Sequence, residues 1–282
     1  MKIGIVGLGL IGGSFAKVFN KNGHTVLAYD INDSVLSLAK SSGIIDEVLT
    51  RDKLSVCDLI IIAIYPEQTI EYVHANAKFF SANTIIMDCC GIKRIICEEI
   101  FLVADKYGFR FIGGHPMAGT ENSGFNYSRI DIFKDATMVL VPQNPNDILL
   151  LDKIKDLLSP AEFSSFIITT AEQHDKIVAL TSQLSHLIAS AHITCSDVNE
   201  EKFFCGNSFK DMTRVANLNS KMWTELFIKN SDYLTSVLDL FIEKLVKYKN
   251  LIKDKRESEL DMLLKMGNKY KEEIDNICKK LI

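Results

Sequence analysis

The chain has 282 residues, 47% of them hydrophobic and 24% charged, which is enough apolar material to fill two compact domains and excludes a disordered chain. A formal net charge of -4 gives no broad positive field, so nucleic acid phosphates and anionic membrane surfaces are excluded as general partners and a small molecule is expected. Seven cysteines, with no CxxC pair and no histidine at zinc-ligand spacing, read as reduced, buried thiols of a soluble cytoplasmic protein, with no metal site.

The first residues, MKIGIVGLGLIGGSFA, imitate a signal peptide, but glycines interrupt the apolar stretch and their spacing has a better explanation. The longest apolar run, Leu59 to Tyr65, is far short of the ~20 residues needed to span a bilayer. Residues 2 to 6 predict a strand, followed by a glycine turn and a helix over Leu10 to Asn22. Further strands are predicted at Thr25 to Tyr29, Asp58 to Ile64, Thr84 to Met87, Phe109 to Ile112, Thr137 to Val141 and Phe163 to Ile168, with helical segments between the earlier ones. This alternation predicts the α/β class: a Rossmann-type, doubly wound, mostly parallel sheet with helices on both faces, ending near residue 170. From Ala171 the chain has no proline, and apolar residues recur at helical spacing. An all-helical second domain over 171–282 is expected, with long helices at residues 172–196 and 221–252 and a final charged stretch, Lys253 to Ile282, as a capping helix or pair. So much apolar helix surface points to a homodimer formed through this domain.

Gly7-Leu8-Gly9-Leu10-Ile11-Gly12 fits G-x-G-x-x-G between a strand and a helix, and Asp30 lies 18 residues past the last glycine at the end of the next strand. Gly7 permits the tight turn, Gly9 lets the backbone approach a pyrophosphate, Gly12 lets helix and strand pack closely, and the helix N-terminus faces the phosphates. A carboxylate at Asp30 accepts from ribose hydroxyls and repels a 2′-phosphate, and Ile31, Asn32 and Asp33 bring no cation to offset that, so NAD is the expected cofactor. Ile64 and Pro66, in the loop after the third long strand, are placed at the cofactor's border.

His115 lies between two glycines and a proline just after a strand, at the sheet edge where substrate meets cofactor in such folds, and is read as the chemical group. Ala171-Glu-Gln-His174-Asp175 opens the long helix that also carries His186, and Asp175 and His186, eleven residues apart, are expected on nearly the same face of one groove. Asp211 and Arg214, three apart on a further helix, hold a guanidinium ready for a carboxylate.

Taken together, GLGLIGGS, DCCGIK, GGHPMAGTE, AEQHD followed by SQLSH, FKDMTR and MW resemble, in order from residue 3 to about residue 235, the prephenate dehydrogenase family, which includes arogenate dehydrogenases. The resemblance implies oxidative decarboxylation of prephenate to 4-hydroxyphenylpyruvate with NAD reduction, a step of tyrosine biosynthesis. It implies His115 as the base at the C4 hydroxyl, Arg214 on a substrate carboxylate, and His186, Thr120 and the backbone of residues 206–208 at the side-chain end. It further implies Glu121, Asp175 and Asp211 in an ionic gating network around the arginine, and Trp223 offered from the partner subunit.

Many members read D-x-x-S-x-K where this chain has Asp88-Cys89-Cys90-Gly91-Ile92-Lys93, so the serine that grips the reacting hydroxyl is replaced by Gly91. Cys90 or a water is one substitute, and His115 acting alone is another. The glycine motif at residue 7 leads to the expectation that no fused mutase precedes the sheet, and the helical tail to the expectation that no amino-acid-sensing domain follows. Prephenate and arogenate differ only as keto against amino and both stay open. Dehydrogenases of the β-hydroxyacid type share the plan but rely on a catalytic lysine for which no equally good motif exists here. A non-enzymatic NAD-binding module is the remaining alternative, although His115 and Arg214 are both in place.

Overall fold

The computed structural model describes residues 1–195 and 206–281, with side chains through residue 276. Strands β1 (Lys2–Val6), β2 (Thr25–Tyr29), β4 (Leu59–Ile62), β5 (Ile85–Asp88) and β6 (Arg110–Pro116) are joined in parallel, with a two-residue β3 (Glu47–Val48) outside β2. β7 (Thr137–Pro142) pairs antiparallel with β6 and parallel with β8 (Ser165–Ile168), giving the order β3-β2-β1-β4-β5-β6-β7-β8. The uninterrupted apolar run of β4 follows from burial on both faces: Leu59 and Ile61 join Phe15, Phe19 and Phe133 in one core, while Ile60 and Ile62 join Ile96, Ile100 and Phe111 in the other.

The covering helices are α1 (Leu10–Lys21), α2 (Asp33–Ser41), α3 (Pro66–Asn76), α4 (Arg94–Tyr107) and α5 (Ile148–Leu158). Their ends obey local chemistry. The Asn32 side chain accepts from the Ser34 N–H to start α2, Pro66 occupies the first turn of α3, and Gly108 ends α4 at φ +76°. A mostly parallel sheet covered on both faces is thus the observed architecture, as the alternation predicts.

The helical half departs from two long helices. The segment expected over 172–196 is α6 (Ala171–Val178), a π turn at Ala179–Gln183, then α7 (Leu184–Ile193), and residue 196 lies outside the described residues. After α8 (Asn207–Thr213), the segment expected over 221–252 breaks at Asn230 into α9 (Ser220–Lys229) and α10 (Ser231–Lys253). The break has a polar cause. Asn230 is fully buried and donates to the Asp175 carbonyl (3.0 Å) and to Gln183 Oε1 (2.8 Å) while accepting from Arg94 Nη2 (3.0 Å), a set of bonds that an outward-facing helical residue does not make.

By contact density the chain divides into Met1–Ser231 and Asp232–Ile282. Helices α6 to α9 therefore share a unit with the sheet. The second unit holds nearly all of α10 together with α11 (Glu257–Leu281), whose solvated side carries i,i+4 ion pairs such as Lys265 with Asp261. Leu240, Leu245, Val246 and Ile252 on α10 and Met262 and Leu264 on α11 are exposed. Among the described residues no helix is long and apolar enough to cross a membrane.

Candidate active site

The glycine motif folds as its spacing requires. Gly7 turns at φ +88°, and a Cβ there would lie 2.4 Å from Ile64 Cγ2, while one at Gly12 would lie 1.8 Å from the Gly7 carbonyl oxygen. Nothing lies within 4 Å of a Cβ built at Gly9, so open space faces that backbone at the N-terminus of α1. Leu8 donates its N–H to Asp30 Oδ2 at 2.6 Å, and Asn32 N donates to Oδ1 at 2.8 Å, which fixes the carboxylate beside the loop. Leu10 and Ile11 form the first turn of α1 and carry amides with no side-chain cap, while Pro66 is buried at the start of α3 and Ile64 is half-buried against Gly7. An open glycine, free helix amides and a held carboxylate fit the pyrophosphate and ribose of a dinucleotide.

His115 lies in β6, opposite Val139 of β7, and not in the loop expected after a shorter strand. Its glycines are close-packing positions, not flexible ones. A Cβ at Gly114 would come within 2.5 Å of the Asp88 carbonyl oxygen and 2.8 Å of Met138 Cε, and one at Gly113 within 2.8 Å of Cys97 Sγ. Gly114 N donates to Asp88 Oδ1 at 3.1 Å, so the residue before His115 is tied to the end of β5. With β1, β4, β5 and β6 adjacent and parallel, His115 stands at the same carboxyl edge as the glycine loop, three strand spacings or about 14 Å along it.

Behind the imidazole runs a chain of short contacts. His115 Nδ1 is 2.8 Å from His174 Nε2, and His174 Nδ1 is 2.7 Å from Asp175 Oδ1. Asp175 also accepts the backbone N–H groups of Lys93 (2.7 Å) and Arg94 (2.9 Å) at the start of α4. Burial, then the neighbouring His174 and Lys93, push the His115 pKa well below the ordinary histidine value, and burial lowers that of His174 against the pull of Asp175. Both rings are neutral at neutral pH. Lys93 is itself buried and paired with Asp88; burial works to lower its pKa, but Asp88 and the neighbouring thiols lift it, so a fixed positive charge lies near His115.

Two expectations about the acidic residues are overturned. Asp175 is not at a pocket mouth with Arg214: it is 1% exposed and serves the N-terminus of α4, with Arg94 Nε at 3.5 Å, because those helix amides need an acceptor. Nor does it share a groove face with His186, since the wider π turn between them inserts a residue and rotates α7. Asp211, Glu121 and Arg214 are exposed, and among the described residues no ion pair joins them. Arg214 is the residue just past α8, and its charge helps lower the pKa of His186, after burial, so the two lie within electrostatic reach. His186 donates Nδ1–H to the Ser182 carbonyl at 2.8 Å, which leaves Nε2 as an acceptor.

Trp223 stacks on His186 within the same chain, ring centroids 4.0 Å apart, where the family pattern assigns that tryptophan to a partner subunit. The reason is the course of α9, which returns to the cofactor edge: Asn219 donates to the Tyr65 hydroxyl (3.1 Å), and Glu225 accepts the Glu67 N–H (2.7 Å). Among the described residues Thr120 bonds to Asn122, in its own exposed loop. At Gly91 a Cβ would meet Leu226 at 3.4 Å and His115 Cε1 at 4.0 Å, ordinary contact distances beside the imidazole. Cys90 is buried with Sγ 3.4 Å from the Ile64 carbonyl oxygen, and that contact occupies its thiol. Sequence reasoning passes over two residues of this arrangement, His174 and Asn230. An interruption of apolar periodicity by Asn230 and a histidine directly before Asp175 are the signals that could have found them.

The family models and several relatives point to the same family. The family model described as prephenate dehydrogenase, nucleotide-binding domain, matches residues 15–165, and that described as prephenate dehydrogenase, dimerization domain, matches residues 170–266. A prephenate dehydrogenase of Bacillus subtilis is 27% identical over 281 residues, covering 95% of this chain and 74% of its own length. The structure of prephenate dehydrogenase from Aquifex aeolicus in complex with hydroxyphenyl propionate and NAD+ has a TM-score of 0.84 and 28% identity, covering 97% of this chain and 98% of that one. Synechocystis arogenate dehydrogenase has a TM-score of 0.80 and 26% identity, covering 97% and 100% of the two chains.

Proposed function

We infer the activity from one premise: the chain belongs to the prephenate dehydrogenase family. It is an NAD-dependent dehydrogenase that converts prephenate to 4-hydroxyphenylpyruvate and carbon dioxide. Bound NAD supplies the hydride acceptor. The open backbone at Gly9, framed by Gly7, Leu8, Leu10, Ile11 and Gly12, holds the pyrophosphate, Asp30 takes the ribose hydroxyls, and Ile64 and Pro66 border the cofactor.

The neutral imidazole of His115 at the carboxyl edge of the sheet is the observation that carries this assignment. It accepts the proton of the substrate's C4 hydroxyl as that carbon is oxidised. When the ring loses its carboxylate as carbon dioxide and becomes aromatic, the same imidazole returns the proton to the phenolate oxygen, so no net proton is lost from the ring hydroxyl. Arg214 holds a substrate carboxylate, His186 with Trp223 and Thr120 lines the side-chain end, and Gly91 borders the reacting hydroxyl. Residues 1–170 form the dinucleotide-binding domain and 171–282 the substrate-binding and dimerisation domain; the dimerization-domain match and the exposed apolar residues of α10 and α11 support a homodimer, measurable as a two-chain mass by light scattering. A place in tyrosine biosynthesis follows from the product, and the unpaired thiols of Cys57, Cys90 and Cys97 support a cytoplasmic setting.

The decisive assay follows NADH formation with prephenate and with arogenate, each with NAD and NADP. Turnover of prephenate with NAD is expected, and His115→Asn is expected to lower kcat by about 10²–10⁴-fold with KM changed far less. A His115→Asn enzyme as fast as the parent would remove the assignment.

A further inference from the structure

A histidine used as a base must present a bare nitrogen to its substrate, and which nitrogen that is depends on what the other one bonds to. In this protein the choice is made at Asp175. Its carboxylate is acceptor-only and already takes the Lys93 and Arg94 N–H groups at 2.7 and 2.9 Å, so His174 Nδ1, 2.7 Å from Oδ1, must be a donor. A neutral His174 protonated on Nδ1 has a bare Nε2. That nitrogen lies 2.8 Å from His115 Nδ1, which must in turn carry a hydrogen. His115 Nε2 is then the bare nitrogen. The rings meet at 62° with centroids 5.1 Å apart, an edge approach suited to a ring N–H pointing at a ring lone pair and not a stack.

The anchor of this chain is held from three further elements. Asn230, at the end of α9, donates to the Asp175 carbonyl and to Gln183 of the π turn and accepts from Arg94 of α4, and Gln183 donates to the Leu226 carbonyl at 3.2 Å. His174 is 3% exposed and Asp175 1%, so water does not compete for either bond. The opposite arrangement, with His115 protonated on Nε2, would set two lone pairs against each other at the His115–His174 contact unless His174 were an imidazolium facing the buried Lys93 charge.

We propose that His174 and Asp175 are positioning residues that hold His115 in its Nδ1–H tautomer and so direct Nε2 at the substrate hydroxyl. This rests on the reading of His115 as the base. The same pair stabilises the imidazolium formed when His115 Nε2 takes the proton, since the Nδ1–H of His115 then points at a neutral acceptor backed by a carboxylate.

The proposal is tested by two measurements on the full chain. Nitrogen-15 labelling of histidine, read by long-range proton–nitrogen correlation, reports tautomers directly: His115 and His174 are both expected as Nδ1–H at neutral pH, and a His115 found as Nε2–H would overturn the proposal whatever the activity. The kinetic arm compares His174→Leu with His174→Gln. The glutamine amide can donate to Asp175 and accept from His115, whereas leucine can do neither. His174→Leu is expected to lose about a hundredfold or more in kcat with KM within a few-fold, because a misplaced tautomer in a comparable triad costs about 10⁴. His174→Gln is expected to stay within about tenfold of the parent. Equal losses in the two variants, or no loss in His174→Leu, would also overturn it. A parent enzyme without activity on either substrate, by contrast, would remove the functional reading and leave the tautomer measurement standing.

Discussion

Gly91 occupies the position at which many members of the family carry serine, and its surroundings allow a direct test of what that difference costs. A Cβ there would touch Leu226 at 3.4 and 3.5 Å and stand 4.0 Å from His115 Cε1, so the first carbon of a serine enters at ordinary contact distances. Gly91→Ser is therefore expected to change stability by less than about 0.5 kcal/mol in a denaturant melt, and to alter KM or kcat by less than tenfold. Complete loss of activity would contradict this. The chain works without that hydroxyl, on this view, because His115 is already held by the His174 contact and needs no second partner to set its orientation. At this scale the cofactor loop is legible in the sequence, since the glycine spacing after a strand and the acidic residue at the end of the next strand announce the turn at Gly7, the open face at Gly9 and the Leu8–Asp30 bond, although the close contact of Gly7 with Ile64 comes from a distant strand end. Asp175 is not legible in the same way. The amides it serves are 82 and 81 residues away in the chain, and no local pattern announces an acceptor for them.

At the scale of elements, the sequence yields the sheet and misplaces the ends of its parts where tertiary packing decides them. Gly113 and Gly114 look like loop residues, yet they continue β6, because only glycine lets that strand pass under Asp88, Met138 and Cys97. Gly114→Ala tests the point. The added carbon would lie 2.5 Å from the Asp88 carbonyl oxygen and 2.8 Å from both Met138 Cε and Met87 Cγ, an overpacking expected to cost about 1–3 kcal/mol of stability. Since Gly114 N is also bonded to Asp88, the shift should carry into His115 and lower kcat as well as the melting temperature. A variant with unchanged stability would show that β6 has slack there. The break at Asn230 has the same origin as the glycine strand: apolar periodicity over 221–252 describes one helix, and buried bonds to Asp175, Gln183 and Arg94 divide it. Periodicity records which side of a helix is buried, not where a buried polar group requires the axis to turn.

For the molecule as a whole, histidines that are buried or partly buried make stability depend on pH in a definite direction. His24, His115, His174 and His186 all have pKa values lowered in the folded chain, each chiefly by burial. In the unfolded chain these rings titrate near the ordinary value of about 6.5. Between that value and each lowered folded value the unfolded state binds more protons than the folded one, so stability rises with pH across that window. It is complete above about pH 6.5 and is lost as pH falls below it. The carboxylates with lowered values, Glu47, Asp52 and Asp131, act in the same direction but lie at the surface and titrate below the histidine window, while the paired Lys93 titrates far above it. Between about pH 4.5 and 6.5 the histidines therefore dominate, with a slope of up to about 1.4 kcal/mol per pH unit for each of His115 and His174 while it stays neutral, and a smaller, solvent-screened share from His24 and His186. Thermal melts are expected to show a steady fall in melting temperature from pH 7 to pH 5, and His115→Gln, which removes one such ring, is expected to flatten it. A melting temperature that holds constant or rises on acidification would mean that the imidazoles take up protons in the folded protein, and the neutral His115 required of a base would be lost with that result.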